Sequence, residues 1–133
     1  MRLSIRTEYA LLALVALARQ PEGAFTHGGE IAAGQGIPIR FLQQILYALK
    51  KARIVRSTKG KSGGYALARR ASTISVAEVV RLFDGPLAPS RGVSRFYHEE
   101  TPILGEKKIV ALMREIRDHV AERLERTSIA DIT

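Results

Sequence analysis

The chain has 133 residues, a formal net charge of +8 and no cysteine. That length gives one domain with a core of its own, and the missing thiols exclude disulfides, thiolate metal sites and a cysteine nucleophile, in keeping with a reducing, cytoplasmic setting. The charge is uneven: residues 1–84 hold 13 Lys and Arg against 5 Asp and Glu, whereas residues 85–133 hold 8 of each, so a basic module precedes a part with different work.

Residues 4–19 are expected to form a first helix, capped by Ser4 or Thr7 and ended by Gln20-Pro21-Glu22-Gly23. It is apolar on nearly every side, which places it at the centre of the fold. The apolar run 9–18, preceded by Arg2 and Arg6, is similar to a short signal-peptide core. It is only about half of the roughly 20 residues a membrane span needs, and Glu8 stands directly before it, so it reads as a buried helix and no membrane partner is expected. Arg2, Ser4 and Arg6 at its start are candidates for phosphate contact, the alternative being solvated end groups.

A second short helix is expected over residues 27–35, capped by Thr26 or His27. Ala32, Gly36 and Leu42 have helix-turn-helix spacing: a small residue lets two helices approach, a glycine turns the chain, and a leucine fills the angle between them. Pro38 opens a third helix running to residue 51, where its missing N–H costs nothing. Leu42, Ile45, Leu46 and Leu49 repeat at core spacing. That leaves Arg40, Gln43, Gln44 and Tyr47 outside as candidates for reading bases, with Lys50 and Lys51 suited to the phosphate backbone. Arg pairs with guanine and Gln with adenine in the major groove; a solvated polar face is the alternative.

Two strands are expected at 54–58 and 65–68, joined through Lys59-Gly60-Lys61-Ser62-Gly63-Gly64. The glycines suit a turn with positive φ and close backbone approach, and Arg56, Lys59 and Lys61 suit phosphates or the minor groove. Gly60-Lys61-Ser62 imitates the end of a phosphate-binding loop, but Val55 stands where that motif needs glycine and a strand follows where it needs a helix. From residue 31 to 77 the chain carries nine basic residues and no acidic one, a concentrated positive field suited to polyphosphate.

Ser75 and Glu78 form a capping-box pattern for a helix to residue 83 whose Val76, Val79, Val80 and Phe83 pack on the domain. Asp84-Gly85-Pro86 ends it, and Pro86, Pro89, Gly92 and Pro102 punctuate an irregular stretch to residue 104. Residues 106–126 read as a long amphipathic helix with Ile109, Leu112, Met113, Ile116, Val120 and Leu124 on one stripe. A stripe of this length needs a partner surface; packing within the chain is one possibility and dimerisation the chosen one. A short capped turn is expected near residues 127–132.

Taken together, Met1-Arg2-Leu3-Ser4, Glu8-Tyr9-Ala10-Leu11, Glu30-Ile31-Ala32, Gly36-Ile37-Pro38, Phe41-Leu42-Gln43-Gln44-Ile45-Leu46, Leu49-Lys50-Lys51-Ala52, Gly63-Gly64-Tyr65-Ala66-Leu67-Ala68 and Asp84-Gly85-Pro86-Leu87 carry a resemblance. Val76-Ala77-Glu78-Val79-Val80 and Thr127-Ser128-Ile129-Ala130-Asp131 extend it over almost the whole chain. The chain resembles the Rrf-type family of bacterial winged helix-turn-helix transcription regulators, which includes the iron-sulfur cluster regulator and the nitric-oxide-sensing repressor. The resemblance implies a homodimer crossed through the long helix and bound to double-stranded DNA, with Arg40, Gln43 and Gln44 reading bases and Lys59 entering the minor groove. The expected fold is mainly α with a small β-hairpin: a winged helix-turn-helix domain at 1–84, a sensor or linker loop at 85–104, and a dimerisation helix with its tail at 105–133.

Two departures from the family pattern matter. Arg53 replaces a glycine expected after Lys51-Ala52, so the helix is expected to end differently there. Cluster-binding members carry three cysteines in the segment matching 85–104, and this chain has none. No metal or cofactor is therefore expected, although Glu8 falls where some relatives supply a carboxylate ligand and His98-Glu99-Glu100 lies in the corresponding loop. Glu8, Arg91, Arg95, Tyr97 and His98 are candidates for meeting a small-molecule or protein effector. The expected function is that of a sequence-specific regulator acting as a repressor, the alternative being a non-specific basic nucleic-acid-binding protein. An enzyme is not expected, because His27, His98 and His119 are scattered and no paired carboxylates mark a cleft.

Overall fold

The computed structural model describes residues 2–95 and 99–133; the Tyr97 and His98 expectations lie outside them. Helix α1 (Ile5–Ala18) is the hub, packing against α2 (Gly28–Gln35), α3 (Ile39–Lys51), α4 (Val76–Asp84) and the second hairpin strand. Its apolar faces explain this position, since Ala10, Ala13 and Leu14 are fully buried. Ser4 is the N-cap, its hydroxyl oxygen accepting the Thr7 N–H at 3.2 Å; Thr7 itself is buried inside the first turn.

The helix-turn-helix follows the expected spacing. His27 caps α2 through Nδ1, which accepts the Gly29 N–H at 3.2 Å. Gly36 closes the helix at φ 66°, in the left-handed region where glycine has no Cβ to clash. Pro38 stands one position earlier than expected, at the N-cap of α3, and its carbonyl accepts the Leu42 N–H at 3.0 Å. Leu42, Ile45, Leu46 and Leu49 are all buried, as their spacing requires.

Helix α3 ends as though Arg53 were glycine. Arg53 has φ 59°. Its N–H reaches the Lys50 carbonyl at 3.0 Å and the Ile54 N–H reaches the Leu49 carbonyl at 3.0 Å, the paired bonds of a Schellman turn. The expectation of a different ending is corrected: two satisfied carbonyls and the burial of Ile54 and Leu49 offset the strain of a side chain in this region.

Strands β1 (Val55–Thr58) and β2 (Gly64–Leu67) pair antiparallel, Val55 opposite Leu67 and Thr58 opposite Gly64. On its other edge β2 meets Thr26, with Thr26 and Tyr65 exchanging two backbone bonds of 2.8 Å. The hairpin is thereby fixed to the residues that open α2.

Ser75 caps α4 by accepting the Glu78 N–H at 3.1 Å, but the Glu78 carboxylate pairs with Arg69 rather than turning back to complete a capping box. The chain then passes through short 3-10 turns at Arg91–Val93 and Pro102–Gly105 to α5 (Lys107–Glu125). Beyond α5 the tail returns to the first unit: Ile129 is fully buried in the same core as α1, α3 and α4, and its N–H donates to the Ile74 carbonyl at 2.8 Å. Through Ile129 the tail thus shares a core with the segment expected to end at 84. The tail turn is capped reciprocally by Ser128 and Asp131, with bonds of 2.9 and 3.1 Å, and the Ser128 N–H holds the Asp131 carboxyl below its ordinary value.

Candidate nucleic-acid interface

The outer face of α3 and the tip of the hairpin border one open groove of about 500 Å³. Its floor and walls include Ile39, Gln43, Ser57, Lys59 and Tyr65, and the start of α2 closes one end with His27 and Gly28. Arg40, Gln43, Gln44 and Tyr47 are all exposed, Tyr47 at 64%. Lys50 and Lys51 are exposed at the last turn, where they complement the helix dipole. The Lys51 ammonium lies 5.5 Å from the Tyr47 ring centroid.

Glycines at the hairpin divide two tasks. Gly60 supplies the turn with φ 101°. Gly64 makes room: a Cβ there would lie 2.4 Å from the Thr26 carbonyl oxygen. Lys59 and Lys61 project from the tip into solvent. Arg56, expected beside them, leaves the hairpin by the opposite face. Its guanidinium sits 4.9 Å over the Phe25 ring and borders a separate cleft with Arg69 and Arg70.

At the start of α1, Arg2 is exposed, but Ser4 is already engaged. Its oxygen caps the helix, its hydroxyl donates to Thr7 Oγ1 at 3.3 Å, and its backbone N–H donates to Asp84 Oδ2 at 3.0 Å. Ser4 thus fills the capping role expected of it, beside the Asp84 carboxylate.

Within the described residues 85–95 and 99–104, part of the segment packs on the fold. Leu87, Val93 and Ser94 are buried, and Arg117 of α5 donates to the Val93 carbonyl at 2.7 Å. Of the effector candidates, Arg91 pairs with Glu99 at 3.1 Å and Arg95 with Asp118 at 2.7 Å, both at the surface. The Arg117 hydrogen bond, then the charges of Arg117 and Arg95, hold the Asp118 carboxyl below its ordinary value despite slight desolvation. Glu8 stands exposed in the first turn of α1. Arg95 borders a small cleft with Arg81, Arg117 and Glu125 that neither Glu8 nor Arg91 lines.

On α5 the sequence stripe divides. Ile109, Leu112 and Ile116 are exposed at 42, 52 and 37%, with Met113 and Val120 half-buried beside them. Leu124 packs partly against its own chain's core together with Ala121.

A buried three-helix core, a recognition helix and a two-stranded wing define a winged helix-turn-helix DNA-binding protein. Compared with known proteins, residues 3–133 match the Rrf2 family, described as iron-dependent transcriptional regulators. The chain belongs to this family. It is 40% identical over 133 residues to a protein of Mycobacterium tuberculosis named as an HTH-type transcriptional regulator, covering 99% of this chain and 81% of the relative. It is 28% identical over 132 residues to the transcriptional regulator CymR of Bacillus subtilis, covering 99% and 89%. The solved structure of that CymR, the global cysteine regulator of B. subtilis, superposes with a TM-score of 0.80 at 27% identity over 99% of this chain and 95% of the other. IscR of T. potens shares the fold, with a TM-score of 0.76 at 23% identity over 99% and 85%. The family description speaks of iron, but this chain offers no cysteine to hold a cluster, and among the described residues no three His, Asp or Glu side chains gather in a metal-holding group.

Proposed function

We propose that this protein is a sequence-specific regulator that binds a two-fold DNA site as a homodimer and represses transcription in the cytoplasm without an iron-sulfur cluster or catalytic step. The observation that carries the reading is that Gln43 of α3 and Lys59 of the hairpin border one groove, with Arg40 and Gln44 exposed on the same helix and Lys61 at the same hairpin tip, in a stretch without an acidic side chain. Base edges are read by the three helix residues and phosphates are held by the two lysines, with Tyr47, Lys50, Lys51 and Arg2 at the flanks. Residues 1–84 and the returning tail serve as the DNA-binding unit, residues 85–104 as the effector-facing layer, and α5 as the dimer helix. The repressor sense rests on family resemblance, not on any one residue.

The test is binding of the metal-stripped protein to fragments of its own upstream region beside random duplex DNA at near-physiological salt. A preference of about a hundredfold or more is expected, within the usual specific range. Equal affinity for all duplexes would favour the alternative, a general nucleic-acid surface acting through charge.

A further inference from the structure

Three large apolar side chains of α3 stand exposed: Ile39 at 44%, Phe41 at 50% and Tyr47 at 64%. Two have neighbours that account for them. The Phe41 ring lies 6.3 Å from that of Tyr9, and Tyr47 carries the Lys51 ammonium. Ile39 differs. It is the first residue of α3, set by Pro38 at the N-cap, and it opens onto the groove shared with Gln43 and Lys59. The core beneath is already closed by Leu42 and Leu46, both fully buried. A β-branched residue brings no helix-forming advantage at this position, so neither packing nor propensity explains an exposed isoleucine on a surface otherwise built for polyphosphate.

We propose that Ile39 reads a thymine methyl group in the major groove next to an A·T pair bound by Gln43. The inference rests on the DNA-binding function proposed above. Residues one helical turn apart share a face at roughly 5–6 Å, and successive bases on a strand are about 3.4 Å apart, so Ile39 and Gln43 address base pairs within two steps of each other. Gln bonds adenine through N6 and N7, and among the DNA bases only thymine offers a methyl group for an apolar partner. The half-site therefore contains an A·T step at which the methyl group, as well as the hydrogen-bond pattern, is sensed.

The experiment selects the preferred site from random duplexes, then replaces each thymine of a half-site with deoxyuridine, one at a time, and measures affinity. At one thymine per half-site the unaltered protein is expected to lose about three- to fivefold, the worth of one buried methyl group. Ile39→Ala should bind the two duplexes alike at that position while still preferring the selected site to random DNA. Ile39→Val, which keeps a branched apolar tip, should retain the discrimination. A flat scan on a strongly preferred site, a half-site lacking thymine, or an Ile39→Ala protein with the original thymine-to-uracil ratio would overturn this inference alone. Failure to prefer any sequence would remove it together with the regulator reading.

Discussion

The carboxylate of Asp84 accepts the hydroxyl of Thr7 at 2.6 Å, tying the end of α4 to the start of α1 across 77 residues of sequence. The same oxygen accepts the Ser4 N–H at 3.0 Å. Burial alone would push the Asp84 carboxyl up, but the hydrogen bonds from Thr7 and Ser4 outweigh it and hold the group below its ordinary value. The folded carboxyl thus binds its proton less readily than the unfolded one. Its stabilisation is present above the unfolded value of about 3.9 and is lost as pH falls through the lower folded value. Asp84→Asn should flatten the loss of stability below about pH 4 and cost about 1 kcal/mol at neutral pH, as for a partly exposed hydrogen bond. Urea unfolding at pH 7 and pH 3 measures both; an unchanged acid slope would place the proton uptake elsewhere.

Arg53 provides a stabilising change. A non-glycine residue in the left-handed region costs roughly 1–2 kcal/mol, and Arg53 occupies it with φ 59°. Arg53→Gly should therefore stabilise the protein by about 0.5–1 kcal/mol, after allowing for the greater freedom of glycine in the unfolded chain. The melting temperature should rise by about 2–5 °C. A fall would mean that the arginine side chain contributes more than its backbone strain removes.

Gly64 and Gly34 should respond to alanine in opposite directions. At Gly64 a Cβ would press on the Thr26 carbonyl oxygen at 2.4 Å, so either β2 or the entry to α2 must shift. Gly64→Ala is expected to cost about 2–3 kcal/mol, within the range for a forced backbone displacement. At Gly34, inside α2, a Cβ meets nothing within 4 Å. Gly34→Ala should stabilise by about 0.5–1 kcal/mol through helix propensity. Denaturant midpoints of the two variants decide the matter, and equal effects would contradict the close approach at Thr26.

What the sequence made legible was local or periodic. Leu42, Ile45, Leu46 and Leu49 announce the buried face of α3 by spacing alone, and Gly36 announces the turn before it. The reason for Gly64 was only half visible: its need for space depends on Thr26, brought beside it by the fold. Strand alternation carried a signal for Arg56 that composition hid, because Arg56 faces away from Ser57 and hence away from the groove. The recruitment of Ile129 into the core arises from tertiary contacts that no window of neighbouring residues encodes. Ile39 sits at the edge of the α3 stripe, where helical spacing does not settle whether a side chain is covered or open.

Base reading and phosphate holding separate in mutants. Gln44→Ala should lower the ratio of specific to non-specific affinity with a cost of about 1–3 kcal/mol on the preferred site and little on random DNA. Lys59→Ala should weaken binding on all sequences and reduce the dependence of log affinity on log salt by about 1. Titrations of both variants on preferred and random duplexes at several salt concentrations distinguish the roles. Equal loss by Gln44→Ala on every duplex would assign Gln44 to the backbone instead.

The two apolar sides of α5 predict different failures. Ile109, Leu112 and Ile116 form an exposed row, and a charge placed in such a row removes the apolar contact that association needs. On the proposed homodimer, Ile116→Glu should therefore shift the protein from dimer to monomer in sedimentation at micromolar concentration while leaving its helical circular dichroism intact, and should weaken binding to a two-fold site because each half-site is then bound alone. Leu124 packs on its own chain's core beside Ala121, so Leu124→Ala should lower unfolding stability by about 1–2 kcal/mol, less than for a fully buried leucine, with little change in association. Dimers that persist with Ile116→Glu would move the interface off this row, and dissociation by Leu124→Ala at full stability would reassign Leu124 to it.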